Sequence, residues 1–234
     1  MPLGIWYLSK YVSPSGSGSA GVRGYALMME LAREGHNVTI ITSDSNHLID
    51  APVLTGRYLI QKTDGLDICW VRTFKYHSAK SIRRILSWLH FEWCLLFIPR
   101  HKLNRPDVVI VSSLSLLTVL NGLVLRAMYD CPLIFEVRDI WPLTLTEEGG
   151  VSASNPLVAI LGLVEYFAYR FSDAIVGTMP RLDKHVENVL GFKRDAFCIP
   201  MGVDDPSLSN TVDLPSDYLR EFFPPGKFIV AHVG

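Results

Sequence analysis

Arg138 and Asp139 are the charged residues of this sequence that are best placed to meet a ligand. They directly follow residues 133–137, a short apolar run with β-branched and aromatic members, which predicts a buried strand of a parallel sheet. In an open α/β sheet, ligands bind in the crevice outside the carboxyl ends of the strands. The spacing therefore favours a binding or catalytic role for this pair, and a salt bridge within a loop is an equally good alternative.

A second candidate binding element is glycine-rich. The segment Gly16-Ser-Gly-Ser-Ala-Gly21 matches the GxGxxG pattern of dinucleotide-binding turns, and Asp44 closes the next predicted strand, where a ribose-binding acid would sit. That fingerprint needs its first glycine immediately after the strand, however, and residues 10–15 intervene here. The segment instead predicts a loop that leads into a helix N-terminus, where free N–H groups favour an anionic group. A purely structural turn is the alternative.

The rest of the sequence supplies the elements that must position these residues. Apolar strand-like runs alternate with segments of helical periodicity, which predicts an α/β fold with a Rossmann-like, doubly wound and mainly parallel sheet. We predict strands at 4–9, 38–42, 57–61, 68–71, 107–112, 133–137, 173–178 and 197–199. We predict helices at 22–33, 81–98, 114–129, 156–171 and 180–190.

The character of the sequence changes at residue 200. Residues 200–225 contain five prolines and little apolar periodicity, which is typical of a linker, and a strand-like run ending in a glycine follows them. We therefore predict a Rossmann-like, acceptor-side domain at 1–200, a linker at 201–226 and the first strand of a second domain at 227–234. Because a lone strand is not a stable domain, we expect the sequence to stop as a second α/β domain begins.

A basic and aromatic segment lies between residues 68 and 105, where Glu92 is the single acid. On the predicted helix 81–98, residues 82, 85, 86, 89, 93 and 96 form an apolar stripe that we assign to the core. A second stripe contains Trp88, Phe91, Leu95 and Ile98, and cations beside surplus apolar surface suit a bilayer carrying anionic lipid. Burial of the helix between the sheet and a second domain is the alternative. The predicted membrane-facing residues are Arg83, Arg84, Trp88, Phe91, Arg100 and Lys102.

Composition and missing motifs argue against several classes of protein. The net charge of −1 does not suit a general nucleic-acid binder. We find no signal-peptide pattern and no apolar stretch of about 18 residues that would cross a membrane. The four cysteines lie far apart, which predicts reduced core residues. The sequence also lacks a DxD triplet, an HxxxH pattern and a nucleophile elbow, so we predict neither a metal site nor serine catalysis.

Several of these segments, in order along the chain, resemble glycosyltransferase family 4. The glycine-rich loop, Arg23 and the segment 31–40 resemble the family's opening pattern. Residues 136–142 resemble the RDlWP motif of its WbuB-like bacterial branch, which makes surface polysaccharides. Residues 199–204 resemble the iPNGvD motif that closes the N-terminal domain, with Met201 in place of the common asparagine, and residues 228–234 resemble the first strand of the C-terminal domain.

The resemblance implies a GT-B enzyme, in which two Rossmann-like domains face each other across a cleft. Such an enzyme transfers a sugar from a nucleotide sugar, here expected to be a UDP-sugar, with retention of configuration and without a metal or other cofactor. The C-terminal domain holds most of the donor, so this chain alone is expected to be inactive. The expected acceptor is a lipid-linked saccharide of O-antigen, lipopolysaccharide or capsule synthesis, met at the cytoplasmic face of the plasma membrane.

The resemblance also implies roles for individual residues. Asp139 would orient the reactants and stabilise a developing oxocarbenium ion, as the catalytic residue. Gly16, Ser17 and Gly18 would face the donor diphosphate and the acceptor, and Arg23 and Arg138 would complete the substrate-binding set. Arg138 could hold an acceptor phosphate or brace Asp139.

Two other classes of function stay open. One is a stand-alone nucleotide-binding oxidoreductase module, which the offset of Gly16 from the first strand disfavours. The other is a non-catalytic membrane adaptor, which the charged strand end at 138–139 disfavours.

Overall fold

The computed structural model describes residues 1–12, 14, 22–45, 51–63, 65–76, 82–147, 149–202, 215–223 and 226. The chain divides into two compact units, residues 1–201 and 202–234. The predicted strand at 227–234 and the predicted loop residues Gly16, Ser17 and Gly18 lie outside the described residues.

The first unit carries an eight-stranded sheet within the described ranges. Its strands are β1 (Gly4–Leu8), β2 (Asn37–Ser43), β3 (Tyr58–Thr63), β4 (Leu66–Val71), β5 (Val108–Ser112), β6 (Leu133–Val137), β7 (Ala174–Gly177) and β8 (Phe197–Cys198). Its helices are α1 (Val22–Arg33), α2 (Ile82–Leu95), α3 (Thr118–Tyr129), α4 (Leu143–Glu147), α5 (Pro156–Phe171) and α6 (Leu182–Leu190). A 3-10 helix, Arg100–Lys102, follows α2. The second unit contains α7 (Ser216–Phe222), within the segment predicted as a linker.

The strand order is β3-β4-β2-β1-β5-β6-β7-β8. The β3–β4 pair is antiparallel and all other neighbours are parallel. The carboxyl ends of the parallel strands therefore meet at one side of the sheet, called the carboxyl edge below. The chain order reverses at β1, which lies between β2 and β5, and such a switch point is where open α/β sheets bind ligands. The predicted α/β, Rossmann-like fold class is confirmed.

Alternation along β1 explains how the core is divided between the two faces of the sheet. Ile5 and Tyr7 belong to one buried cluster, and Trp6 and Leu8 belong to the other, because successive side chains of a strand point to opposite faces. Helix α1 covers the Tyr7 face, and helices α2, α3, α5 and α6 contribute to the Trp6 cluster. The glycine inside α3 has a packing reason, since a Cβ on Gly122 would lie 2.6 Å from a methyl carbon of Val111.

Helix α2 packs with the opposite side inward from the one that we predicted. Phe91 is 0% exposed and belongs to the core cluster with Leu95, whereas Leu89 and Trp93, from the stripe assigned to the core, are 51% and 61% exposed. Both stripes are apolar, so periodicity alone does not choose between them. The inward side also carries Glu92, which accepts hydrogen bonds from Ser115, Thr118 and Asn121 on and before α3. The prediction that Phe91 faces a membrane is wrong.

The other predicted membrane-facing residues divide into two groups. Trp88 is half-buried and its indole N–H donates to the Tyr11 hydroxyl (2.6 Å), so it turns toward the carboxyl edge and not outward. Arg100 is half-buried and donates to the Leu96 carbonyl and the Met128 sulfur. Arg83 and Lys102 are exposed, and the side chain of Arg84 lies outside what the structure describes.

The cysteines follow the prediction in part. None of the four forms a disulfide, and Cys69 and Cys131 are buried. Cys198 is exposed, so its assignment to the core is wrong.

Candidate active site at the carboxyl edge

Ser113, the residue after β5, fixes the end of β6. Its hydroxyl oxygen accepts hydrogen bonds from the backbone N–H groups of Arg138 (2.8 Å) and Asp139 (3.0 Å), and its O–H donates to the carbonyl oxygen of Asp139 (3.0 Å). Ser113 is buried, whereas Arg138 and Asp139 are half-buried at the carboxyl edge. The geometry thus places both residues at the predicted strand end, and their roles toward a substrate stay predictions.

A buried charge cluster lies directly behind this strand end. Glu136 is 3% exposed and accepts a hydrogen bond from the Tyr7 hydroxyl (2.7 Å). Burial, followed by the neighbouring Glu136 carboxylate, raises the pKa of the Tyr7 phenol, so Tyr7 stays protonated and donates. The Arg23 Nε lies 3.4 Å from the other carboxylate oxygen of Glu136 and neutralises its charge.

Arg23, which we predicted to bind the substrate, makes its hydrogen bonds in the described residues to the protein itself. Besides its contact with Glu136, its two terminal nitrogens donate to the carbonyl oxygens of Ile199 and Pro200, both at 2.8 Å. The side chain is only 8% exposed, and each guanidinium nitrogen therefore faces a protein acceptor. Arg23 joins α1, β6 and the segment after β8, and its role toward a substrate stays a prediction.

Lys10 forms a second buried centre, at the end of β1. It is 0% exposed, and its Nζ donates to the hydroxyls of Ser87 (2.9 Å) and Ser43 (3.3 Å). The Nζ also lies 5.5 Å from the centre of the Phe91 ring, within the range of a cation–π contact. Lys10 thereby ties β1 and β2 to α2, close to the switch point of the sheet.

Aromatic side chains form a wall beside the switch point. The Tyr11 hydroxyl accepts from Trp88 (2.6 Å) and from the Tyr76 hydroxyl (3.0 Å). The Trp88 ring meets the Trp141 ring edge-to-face, with centroids 5.9 Å apart. Since Tyr11, Tyr76 and Trp141 follow β1, β4 and β6, the rings connect strand ends that lie on both sides of the switch point.

Asp44 has a structural role in the described part of the chain. Its carboxylate accepts from the backbone N–H of Thr73 (2.8 Å) and pairs with Lys75 (3.0 Å), and the residue is 4% exposed. These contacts fix the turn after β4 and leave Asp44 poorly placed to bind a ribose. The nicotinamide-binding alternative therefore loses the acid that supported it.

Glu92 is a carboxylic acid of α2 that lies against α3, and its pKa is raised. Burial raises its pKa to about 7, against the lowering effect of hydrogen bonds from Thr118, Asn121 and Ser115. An acid whose pKa is higher in the folded state than its ordinary value of 4.5 binds more protons when folded. Its contribution to stability is therefore complete below about pH 4.5 and is lost as the pH rises through about 7.

Glu92→Gln is expected to remove this pH dependence. Because one pKa unit corresponds to about 1.4 kcal/mol, the variant should gain on the order of 3 kcal/mol relative to the parent between pH 5 and pH 8. Urea unfolding of both proteins at each pH measures the difference, and titration of all other groups cancels in it. Parallel stability curves for parent and variant would contradict the raised pKa.

The described residues contain no group of three or more His, Cys, Asp or Glu side chains arranged to hold a metal ion. Among them, too, no helix has the length and apolar character needed to cross a bilayer.

Sequence reasoning missed three residues of this edge. Glu136 carried a signal, because it is the charged member of an otherwise apolar strand and such a residue needs a buried partner. Lys10 also carried a signal, because it is a charged residue directly after the first predicted strand, 4–9. Ser113 carried none, since a serine after a strand is common and its partners are 25 and 26 residues away in sequence.

Comparison with known proteins identifies the family whose sequence model matches most of this chain. The model of Glycosyltransferase Family 4 matches residues 20–206. A search of curated protein sequences finds no significant match.

Three solved structures share the fold. Sucrose-phosphate synthase from Thermosynechococcus elongatus has a TM-score of 0.52 at 11% identity, with 88% of this chain and 93% of that chain covered. A trehalose-6-phosphate protein from E. coli bound with UDP-2-fluoro glucose has a TM-score of 0.56 at 9% identity, with 93% of this chain and 53% of that chain covered. CalG4, the calicheamicin glycosyltransferase, has a TM-score of 0.50 at 14% identity, with 88% and 54% covered. The chain thus spans about half the length of the last two proteins, and these likenesses show the fold alone.

Proposed function

Because the chain belongs to Glycosyltransferase Family 4, we propose that it is the acceptor-side domain of a two-domain GT-B glycosyltransferase. The enzyme moves a sugar from a nucleotide sugar, without a metal and with retention of anomeric configuration. The family match carries this proposal, since it covers the carboxyl edge from α1 to the segment after β8. One structural neighbour is bound with UDP-2-fluoro glucose, which supports a UDP-sugar as the donor.

The catalytic residue of the proposed reaction is Asp139. Its carboxylate, at the carboxyl edge, stabilises the positive charge that develops on the transferring sugar. Ser113 holds the backbone of Arg138 and Asp139, so the two side chains start from a fixed position. Arg138 supplies a positive charge for a phosphate of the acceptor. The glycine-rich residues Gly16, Ser17 and Gly18 complete the substrate-binding set.

We propose a lipid-linked saccharide of bacterial surface polysaccharide synthesis as the acceptor, met at the inner face of the plasma membrane. The outer side of α2 supports this proposal, since Leu86 and Leu89 are about half exposed and Trp93 more so. Leu89 and Trp93 share an apolar groove of about 410 Å³ with Leu120 and Val124 of α3. Contiguous exposed apolar surface of this kind suits contact with acyl chains.

A transfer assay with the whole enzyme tests the proposed function. Nucleotide sugars are offered together with either a lipid-linked saccharide or the same saccharide without its lipid. We expect transfer from one of the donors, with the lipid-linked acceptor used far better than the free one. Transfer to the free saccharide with equal efficiency would contradict the proposed acceptor class.

A further inference from the structure

A pocket lies at the outer corner of the carboxyl edge, and the proposed active site does not use it. It has a volume of about 580 Å³ and lies between α2 and the place where β3 begins and the antiparallel β4 ends. Its rim carries the cations Arg57, Arg72 and Lys75, and its wall carries the aromatic rings of Tyr58, Phe74, Trp93 and Phe97. Cationic groups and aromatic rings on one pocket indicate a ligand with an anionic and an apolar part.

The rim of this pocket is held in position by its backbone. Three successive residues after β4 each donate a backbone hydrogen bond to a different element. These bonds are Arg72 to the Arg57 carbonyl (2.9 Å), Thr73 to the Asp44 carboxylate (2.8 Å) and Phe74 to His90 Nδ1 (3.2 Å). The side chains of Arg72 and Phe74 therefore extend from a fixed segment, as a binding site requires.

His90 braces the inner wall and adds no charge to it. The Phe74 ring stacks on the imidazole, with centroids 4.0 Å apart, and Nδ1 accepts the Phe74 N–H. Desolvation by burial, followed by the charge of Lys10, lowers the pKa of His90, so the ring is neutral at pH 7. The hydrogen-bond pattern assigns its proton to Nε2, which lies 3.4 Å from the Cys94 sulfur.

The charge of the pocket comes from its guanidinium groups. Lys75 is paired with Asp44 at 3.0 Å, so its charge is largely balanced. Arg57 and Arg72 are exposed, and no carboxylate of the described residues forms an ion pair with either of them. Two guanidinium groups on one rim match the geometry of a phosphate, which accepts two parallel N–H bonds from each.

The wall of the pocket continues into the exposed side of α2. Phe74, Trp93 and Phe97 are 56%, 61% and 59% exposed, which is unusual for aromatic rings at the surface of a small-metabolite site. Aromatic rings beside cations are instead typical of the zone where a protein meets lipid headgroups. The cations beside exposed rings favour a lipid phosphate as the ligand, because a free phosphate has no apolar part that could contact the rings.

We propose that this pocket binds the phosphate headgroup of an anionic membrane lipid. Arg57 and Arg72 hold the phosphate, while Trp93 and Phe97 lie in the bilayer interface beside it. The inference rests on the proposed function, which places the chain at a membrane. It assigns the lipid contact to one defined pocket, whereas the sequence predicted a set of cationic and aromatic residues along α2. It also moves the membrane contact from Phe91 and Trp88 to the opposite side of α2.

Co-sedimentation with vesicles tests the site without requiring turnover. The probe is phosphatidylcholine vesicles with and without phosphatidylglycerol, at one fixed low salt concentration. Arg57→Gln combined with Arg72→Gln should weaken binding to the anionic vesicles by roughly 10- to 30-fold. The matched control is Lys184→Gln combined with Lys193→Gln, which makes the same charge change at exposed positions on and after α6 and should bind within about 2-fold of the parent.

Each outcome decides the proposal. An equal loss in both double variants, or no loss in either, would overturn the pocket. Binding of inorganic phosphate that depends on Arg57 and Arg72, together with equal sedimentation of the parent and the double arginine variant on anionic vesicles, would show that the pocket takes free phosphate and would overturn the lipid assignment. Unchanged melting temperatures exclude misfolding, because both arginine side chains are exposed. A whole enzyme that binds vesicles through the pocket but transfers no sugar would refute the proposed function and leave the pocket standing.

Discussion

Asp139→Asn is expected to lower kcat of the whole enzyme by roughly 10²–10³, as when one preorganised polar group is removed from an active site. The substitution preserves the shape of the side chain and removes its negative charge. If that charge stabilises an oxocarbenium-like transition state, turnover falls while substrate binding changes little. The melting temperature should stay close to that of the parent, because the side chain is half-buried and Ser113 holds the backbone and not the carboxylate.

Two measurements on the same preparation separate this role from a structural one. If Asp139 only braces Arg138, the variant loses stability and each folded molecule keeps its kcat. Asp195→Asn serves as the control, since Asp195 is exposed and far along the chain from the carboxyl edge of β6. Parental turnover in the Asp139 variant would remove this residue from the active site.

Arg23→Met should destabilise the domain by about 3–5 kcal/mol, because it leaves the buried Glu136 carboxylate without its counter-charge. The Arg23 and Glu136 side chains are 8% and 4% exposed, so water cannot replace the lost partner without opening the contact between α1 and β6. The loss should appear as a lower midpoint of urea unfolding, with an unchanged slope.

A second substitution in the same background identifies the cause. Glu136→Gln removes the uncompensated charge and keeps an acceptor for the Tyr7 hydroxyl, which lies 2.7 Å from the carboxylate. The double variant should recover most of the stability that Arg23→Met loses. Equal stability of the single and double variants would mean that the carbonyl contacts of Arg23 with Ile199 and Pro200 dominate, and would contradict the ion-pair explanation.

Local sequence pattern was enough to predict the position of the candidate site. The apolar run 133–137 with charges directly after it fixes a strand and its end, and parallel neighbours bring such ends to one edge. The short helix α4 after Pro142 lies in a region where no periodicity predicted it.

Contacts between distant segments could not be predicted in this way. Arg23 and Glu136 are 113 residues apart, and nothing in either local pattern links the two. The orientation of α2 is a related case, since Leu89 and Phe91 belong to two stripes of similar hydrophobicity. The tertiary fold determines which stripe is buried, since Phe91 and Leu95 pack in the core and Glu92 accepts hydrogen bonds from α3.

The orientation of α2 determines which residues form the outer surface of the domain beside β3 and β4. A helix that buries Phe91 and exposes Trp93 keeps apolar surface on its outer side, next to the cations Arg57 and Arg72. Of the residues that we predicted to face a membrane, Arg83 and Lys102 are exposed, whereas Phe91 is buried. Membrane binding itself stays a proposal.

The transfer assay, read by NMR of the anomeric proton of the product, tests whether the enzyme is a retaining, metal-independent glycosyltransferase. The whole enzyme is incubated with a nucleotide sugar and the lipid-linked acceptor, in the presence and absence of EDTA. We expect a product with the same anomeric configuration as the donor, formed at the same rate with and without EDTA. An inverted product, a rate abolished by EDTA, or no transfer from any nucleotide sugar would contradict that expectation.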